Sequence, residues 1–199
     1  MIKFYITEHG LIKEIEAPQT GCWISVVEPT EEEIYALIDD YNLDSGFVKS
    51  SLDEEESSRI EKEDDQTLII IDTPISSVDN DETLFFYTLP IGIILTEDYV
   101  FTISSKSTRI VSEAMNGSIR NLATQMKTRF VLQLLLRITT LFLFYLKQIE
   151  KTSSMAEQGL HNAMQNKLLM QLLELEKSLV YFSTSLKAKR LASLEYLKL

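Results

Sequence analysis

The C-terminal part of the chain, Thr128–Leu199, contains no proline and a single glycine, Gly159. Proline and glycine interrupt helices more strongly than other residues, so this stretch can form long helices with a break only near Gly159. We predict two or three long helices here, the first beginning near Arg129. All four prolines lie upstream, where we expect strands and loops: Pro18, Pro29, Pro74 and Pro90.

Cysteine and histidine are scarce, with only Cys22, His9 and His161 in the chain. A single cysteine excludes an intrachain disulfide and indicates a reducing compartment. Three such residues, far apart in the sequence, do not make a zinc ligand set. The chain also lacks a glycine-rich phosphate loop and a nucleophile elbow. We therefore predict neither a catalytic site nor a small-molecule substrate.

Negative charge is abundant and unevenly distributed along the chain. The net charge is −11, made up of −16 over residues 1–127 and +5 over residues 128–199. Residues 28–65 alone carry 15 acidic against 3 basic side chains. Such a surface repels nucleic acid and attracts cations, so we expect no nucleic-acid partner.

The densest acidic run is Asp53-Glu54-Glu55-Glu56. Hard divalent cations prefer carboxylate oxygens, which makes Asp53, Glu54 and Glu55 candidate metal ligands. The run lacks the spaced ligands and the glycine of a calcium-binding loop, so the alternative is a solubilising surface. A further hypothesis for the function of the chain is a metal-dependent enzyme that uses this acidic run.

The first 127 residues show a succession of strands with short helices. Thr30 and Glu33 form a capping-box pattern that predicts a helix start, and a second short helix is expected from Asp44 or Ser45. Leu68–Ile71 is a continuous apolar run with three β-branched isoleucines, typical of a strand covered on both faces. We expect Pro74 to end that strand, Ser76–Glu82 to form a loop, and Pro90 to divide Leu84–Leu95 into two strands.

Strands followed by long helices indicate a mixed α/β or α+β fold. We predict a mostly antiparallel or mixed sheet flanked by helices, with long C-terminal helices. Residues 1–127 form the acidic sheet-and-helix part and residues 128–199 pack on the sheet, within one domain.

The helix over Phe130–Leu146 is apolar around most of its circumference, with a narrow polar stripe that includes Arg137. This pattern predicts burial on more than one side. The segment is at the short limit for a membrane span and has a charge near its centre, so we expect it to pack on the sheet. A later helix carries a seam at heptad spacing, too short for a free coiled coil: Leu168, Leu172, Leu175, Leu179, Phe182 and Leu186.

Four stretches together resemble the CorA family of magnesium transport proteins. Glu28-Pro29-Thr30 resembles its first cytoplasmic helix start, and residues 52–61 resemble its acidic joint. Residues 89–103 resemble a strand pair, and Lys177–Lys187 resembles a late helix of the bacterial branch. The resemblance implies a non-catalytic cytoplasmic domain that regulates a divalent cation channel at the cell membrane. It also implies a homopentamer, with Mg²⁺ as a regulatory ion and a stalk and two membrane helices as further parts.

The family's Gly-Met-Asn motif between its two membrane spans has no match in residues 1–199, since Ala114-Met115-Asn116 follows no apolar span. Two positions of its regulatory divalent site align with Lys49 and Ser50, and a third aligns with Arg129. The resemblance therefore carries no cation ligand onto these residues. The alternative function is a soluble interaction module with the same fold and no pore.

Overall fold

The computed structural model describes residues 1–78, 84–162 and 166–196. It contains one mixed sheet with helices on both faces. The strands are β1 (Ile2–Glu8), β2 (Leu11–Ile15), β3 (Trp23–Val27), β4 (Arg59–Glu63), β5 (Gln66–Val78), β6 (Leu84–Leu95) and β7 (Val100–Ser104). The helices are α1 (Glu31–Asp40), α2 (Ser45–Leu52), α3 (Arg109–Met115), α4 (Lys127–Asn162) and α5 (Asn166–Tyr196).

The sheet has the strand order β2-β1-β3-β7-β6-β5-β4. Strands β3 and β7 pair in parallel, and the other neighbouring strands pair antiparallel. The predicted fold class, a mixed sheet flanked by helices and followed by long C-terminal helices, is confirmed.

The local signals at the first two helix starts are present in the structure. The Thr30 side chain accepts a hydrogen bond from the Glu33 amide at 3.2 Å, and the Glu33 carboxylate accepts one from the Thr30 amide at 2.9 Å. Asp44 caps α2 by accepting from the Phe47 amide at 2.9 Å. Both caps satisfy backbone donors that have no partner within the helix.

The predicted effects of the two prolines on the strands are wrong. β5 continues through Pro74 to Val78 and β6 continues through Pro90, so Ser76–Val78 is strand and not loop. The rest of the predicted loop up to Glu82 lies outside the described residues. Both prolines occupy positions whose backbone nitrogen faces away from the β5–β6 ladder. The Asp72 amide, two residues before Pro74, donates outward to the Ser58 hydroxyl, so a proline on that side removes no ladder hydrogen bond.

Alternate residues of β5 enter two separate cores, one on each face of the sheet. Ile69 and Ile71 join the core beneath α3, α4 and α5, whereas Leu68 and Ile70 join the core beneath α1 and α2. All four side chains are at most 1 % exposed. The prediction of a strand covered on both faces is therefore correct.

Helix α4 packs against β5 as predicted, and also against α5 and α3, but one side stays open. Phe130, Leu134, Ile138 and Phe142 are buried, while the opposite side exposes Leu132, Leu136, Leu143 and Phe144 by 40–62 %. The predicted burial on more than one side is therefore confirmed toward the sheet and α5, while the outer side of α4 is open. Among the described helices, α4 meets the length and hydropathy criteria for a membrane span over Lys127–Gln158, criteria that core helices of soluble proteins also meet.

The break between α4 and α5 does not occur at Gly159. α4 runs through this residue to Asn162, and the connection at 163–165 lies outside the described residues. In the predicted seam of α5, Leu175 and Phe182 are buried, whereas Leu179 is 45 % exposed. The seam packs on α4 and on the sheet.

Candidate functional site

The three candidate metal ligands follow directly on α2 but have different partners. Asp53 accepts a hydrogen bond from the Glu55 amide at 2.9 Å, and the Glu55 side chain is exposed. Glu54 bonds to Lys106 at 2.8 Å and to the Ser105 hydroxyl at 3.0 Å. The hydrogen bond from Lys106 is the main reason that the pKa of Glu54 is lowered. Within the described part of the chain, no group of three or more His, Cys, Asp or Glu side chains is placed to hold a metal ion.

Arg59 is the centre of the acidic joint and ties α2 to β4. Its guanidinium contacts Glu56 at 2.6 Å and Glu61 at 3.1 Å, and donates to the Ser50 hydroxyl at 3.2 Å. A guanidinium can bind several acceptors at once because its five donors lie in a fixed plane. The motif that resembles the family's joint therefore has a structural use within this chain, and Ser50 already has a partner in Arg59.

The other two aligned positions carry exposed cationic side chains. Lys49 is exposed in the last turn of α2, and Arg129 is exposed near the start of α4. Across residues 1–78, 84–162 and 166–196, the structure shows neither of them in a salt bridge or a side-chain hydrogen bond. Both are therefore available to groups outside this chain.

The long helices also carry apolar surface on their outer sides. We use the term outer faces for Leu132, Leu136 and Leu143 of α4 together with Leu169, Leu173 and Val180 of α5. These side chains are 40–62 % exposed. Exposed apolar surface of this kind is typical of interaction sites. Sequence reasoning missed the outer faces because an apolar helix surface does not reveal which of its sides will be covered.

A charged cluster connects α3 to α4. The Glu113 carboxylate, 12 % exposed, accepts a hydrogen bond from Arg109 at 2.9 Å and a pair of bonds from Arg137. Hydrogen bonding from Arg137 is the largest cause of the lowered pKa of Glu113. This contact explains how α4 tolerates Arg137 within an otherwise apolar segment.

A buried lysine lies between α4 and α5. Lys189 is 6 % exposed and donates hydrogen bonds to the Leu135 carbonyl at 3.1 Å and to the Thr139 hydroxyl at 2.7 Å. Its burial lowers the pKa to about 8. Sequence reasoning ended the seam at Leu186 and missed Lys189. The signal was present, because Lys189 lies one heptad after Phe182 and two after Leu175.

Comparison with known proteins identifies the family. A sequence model described as "CorA-like Mg2+ transporter protein" matches residues 18–198, which is most of the chain. The chain belongs to the CorA family. This is a family of transport proteins and not a family of enzymes.

A curated CorA relative is longer than this chain. The cobalt/magnesium transport protein CorA of Methanocaldococcus jannaschii is 27 % identical over 177 residues, which cover 84 % of this chain and 52 % of that protein. The chain therefore spans about half the length of the curated relative it matches.

Two solved structures show the same fold. The soluble domain of CorA from M. jannaschii aligns with a TM-score of 0.81 at 24 % identity, over 96 % of this chain and 77 % of that chain. The cytoplasmic domain of ZntB from Vibrio parahaemolyticus aligns with a TM-score of 0.71 at 14 % identity, over 98 % of this chain and 78 % of that chain. At these identities the structures establish the architecture of the CorA soluble domain for this chain.

Proposed function

We propose that this chain is the cytoplasmic regulatory part of a CorA-like magnesium or divalent cation channel. In this role it assembles subunits and controls gating, and it catalyses no reaction. The observation that carries the proposal is the family match over residues 18–198 in a chain that spans about half of a cobalt/magnesium transport protein. The implied partners are four further copies in a homopentamer, together with the stalk and membrane helices.

The most direct experiment uses the complete gene. We expect the coding sequence after Leu199 to contain two apolar spans flanking Gly-Met-Asn, and the full product to restore growth of a transporter-deficient strain at low magnesium. A gene that ends without apolar spans would favour the alternative, a soluble interaction module with a CorA-like fold and no pore. Spans without magnesium-dependent rescue would contradict magnesium as the cargo.

Subunit assembly is supported by the outer faces of α4 and α5. Exposed leucine and valine side chains favour association, because covering them removes apolar surface from water. We expect concentration-dependent self-association of residues 1–199, measured by sedimentation velocity. Leu136→Glu should weaken it, whereas Tyr35→Glu, at an exposed position of α1 on the opposite face of the sheet, serves as the control. A chain that is monomeric at every concentration would contradict this prediction.

Regulation is proposed to depend on fixed charges at the subunit interface. Facing carboxylates repel one another unless a cation lies between them, but a lysine or arginine opposite a carboxylate removes that need. Lys49 and Arg129 are exposed and have no ionic partner among the described residues, and the first 127 residues have a net charge of −16. We infer that salt bridges from these two residues to a neighbouring subunit make gating less sensitive to magnesium. Exposed pairs contribute only about 0–1 kcal/mol each, so several must act together.

Calorimetric titration of the assembled protein with magnesium tests this hypothesis against a cation site at Asp53–Glu55. We expect no saturable magnesium binding, and we expect Lys49→Ala to weaken assembly. Tight binding that is lost in Asp53→Ala and Glu54→Ala but retained in Lys49→Ala would instead place a cation at the acidic joint. In that case Glu54 must give up its bonds to Lys106 and Ser105.

A further inference from the structure

Lys189 occupies a core position in the antiparallel pair formed by α4 and α5. The ring centroids of Phe142 on α4 and Phe182 on α5 lie 5.0 Å apart. Lys189, seven residues after Phe182, donates a hydrogen bond to the carbonyl of Leu135, which lies seven residues before Phe142. One heptad further, Tyr196 of α5 has a hydrogen bond with Thr128 of α4. This spacing is that of core layers in paired helices, where a lysine is an exception.

Among the described residues, the amino group of Lys189 is bonded to neutral groups of α4. Its acceptors are the Leu135 carbonyl and the Thr139 hydroxyl, and the Phe142 ring lies 5.7 Å from the nitrogen. The Thr139 hydroxyl itself donates to the Leu135 carbonyl at 2.8 Å, so both acceptors belong to one turn of the helix. An ammonium group in this position has lost most of its contact with water, and the described residues give it no opposite charge.

Within residues 1–78, 84–162 and 166–196, the elements packed against α5 do not supply a carboxylate to Lys189. The described carboxylates of α4 and β4 are exposed: Glu150, Glu157, Glu61 and Glu63. Other titratable side chains of these elements that are at least half-buried have their own contacts, among them Arg137 and Tyr145 on α4, Asp72 on β5, Arg59 on β4 and Tyr87 on β6. On α5 itself, Lys187 and Arg190 are exposed. Asp72 lies one turn of α5 away, where its carboxylate is bonded by Ser185 and Ser58.

We propose that Lys189 makes the packing of α5 on α4 responsive to protons, so that the two helices are held more firmly as the pH rises above neutral. In the unfolded chain the amino group is fully hydrated and keeps its proton up to the ordinary pKa of 10.5, whereas in the folded chain its pKa is about 8. The unfolded state therefore binds more protons between these two values, and stability rises with pH over that window. Below it, the buried charge opposes helix packing.

Urea unfolding of residues 1–199 at about pH 7 and about pH 9.5 tests the proposal through the linkage between proton binding and unfolding. The variants are Lys189→Met, which keeps the length and apolar stem without the charge, and Lys187→Met as the exposed control on the same helix. The wild-type unfolding constant should fall on the order of tenfold more than that of Lys189→Met across this range. Lys187→Met should follow the wild type.

An equal pH response of wild type and Lys189→Met would overturn the proposal. Failure of Lys189→Met to fold would also contradict it, because removal of the charge is expected to stabilise the protein at neutral pH. A carbon NMR titration of the lysine side chains provides a direct measurement on the unmodified protein. We expect one lysine to titrate near pH 8, and a full set of lysines titrating near the ordinary pKa of 10.5 would exclude the buried charge as a proton-responsive group.

Discussion

Helix α2 approaches the sheet closely at Gly92 of β6, where a side chain has no room. A Cβ atom added at Gly92 would lie 1.9 Å from the Ser51 Oγ, 2.3 Å from the Ser51 Cβ and 3.0 Å from the Ser51 Cα. Rotation of the serine hydroxyl cannot relieve the contacts with Cβ and Cα. Gly92→Ala therefore requires α2 to move away from β6, and α2 carries Phe47 and Val48 into the core on that face.

The expected effect of Gly92→Ala is a loss of about 2 kcal/mol in the free energy of unfolding. Overpacking of a core typically costs about 1–3 kcal/mol, and the replacement of a strand glycine by alanine returns about 0.5 kcal/mol of chain entropy. Ser51→Gly should also destabilise, by about 1–2 kcal/mol, since it places glycine in a helix and removes the hydroxyl bond to the Phe47 carbonyl.

The decisive measurement is the double-mutant cycle by urea denaturation. Ser51→Gly removes the two atoms closest to the new methyl group, so the double variant should be more stable than the sum of the single effects by about 1–2 kcal/mol. Single effects that add to within about 0.5 kcal/mol would show that Gly92 and Ser51 do not touch. That result would refute the close contact between α2 and β6 that the structure shows.

Two further predictions concern α4. Phe142→Ala should lower the free energy of unfolding by about 3–5 kcal/mol, because the ring is 1 % exposed and packs on Phe182. Leu143 is 56 % exposed, so Leu143→Ala should change it by less than about 0.5 kcal/mol. Equal effects of the two variants in urea denaturation would show that the other side of α4 faces the sheet. Glu113→Gln should cost about 1–2 kcal/mol near neutral pH through its bonds with Arg109 and Arg137. Because the folded pKa of Glu113 is lowered below 4.5, this contribution is present above that value and disappears as the pH falls through the folded pKa. A wild-type advantage over Glu113→Gln that persists at strongly acidic pH would refute the assignment.

The sequence predicted the features that depend on neighbouring residues. The capping box of Thr30 and Glu33 requires only the right residues three positions apart, and it is present as expected. The run at Leu68–Ile71 likewise predicted burial on two faces, since apolar residues at consecutive positions suit a strand without a solvent side. The CorA resemblance, carried by stretches spread over the chain, agrees with the family match.

Features that depend on distant residues were predicted less well. Whether Pro74 ends a strand depends on which side of β5 has a partner at that point, and this is set by the length of β4. Arg137 was read as part of a polar stripe, but its partner Glu113 is on another helix. The acidic run suggested a shared cation site, yet Glu54 accepts a hydrogen bond from Lys106, which lies 52 positions further along the chain. No local pattern contains that information.

The parallel pairing of β3 with β7 has a consequence for folding during synthesis. Strand β3 pairs with β1 on one side, but its other edge meets Val100–Ser104, a segment made much later. Strands β4 to β7 are antiparallel neighbours in sequence order and can form from local contacts alone, which generally fold faster than distant ones. The N-terminal strands therefore leave the ribosome first and complete their pairing late. Until then the five residues of β3, all buried in the complete fold, leave an unpaired strand edge exposed to solvent, where a holding chaperone can bind.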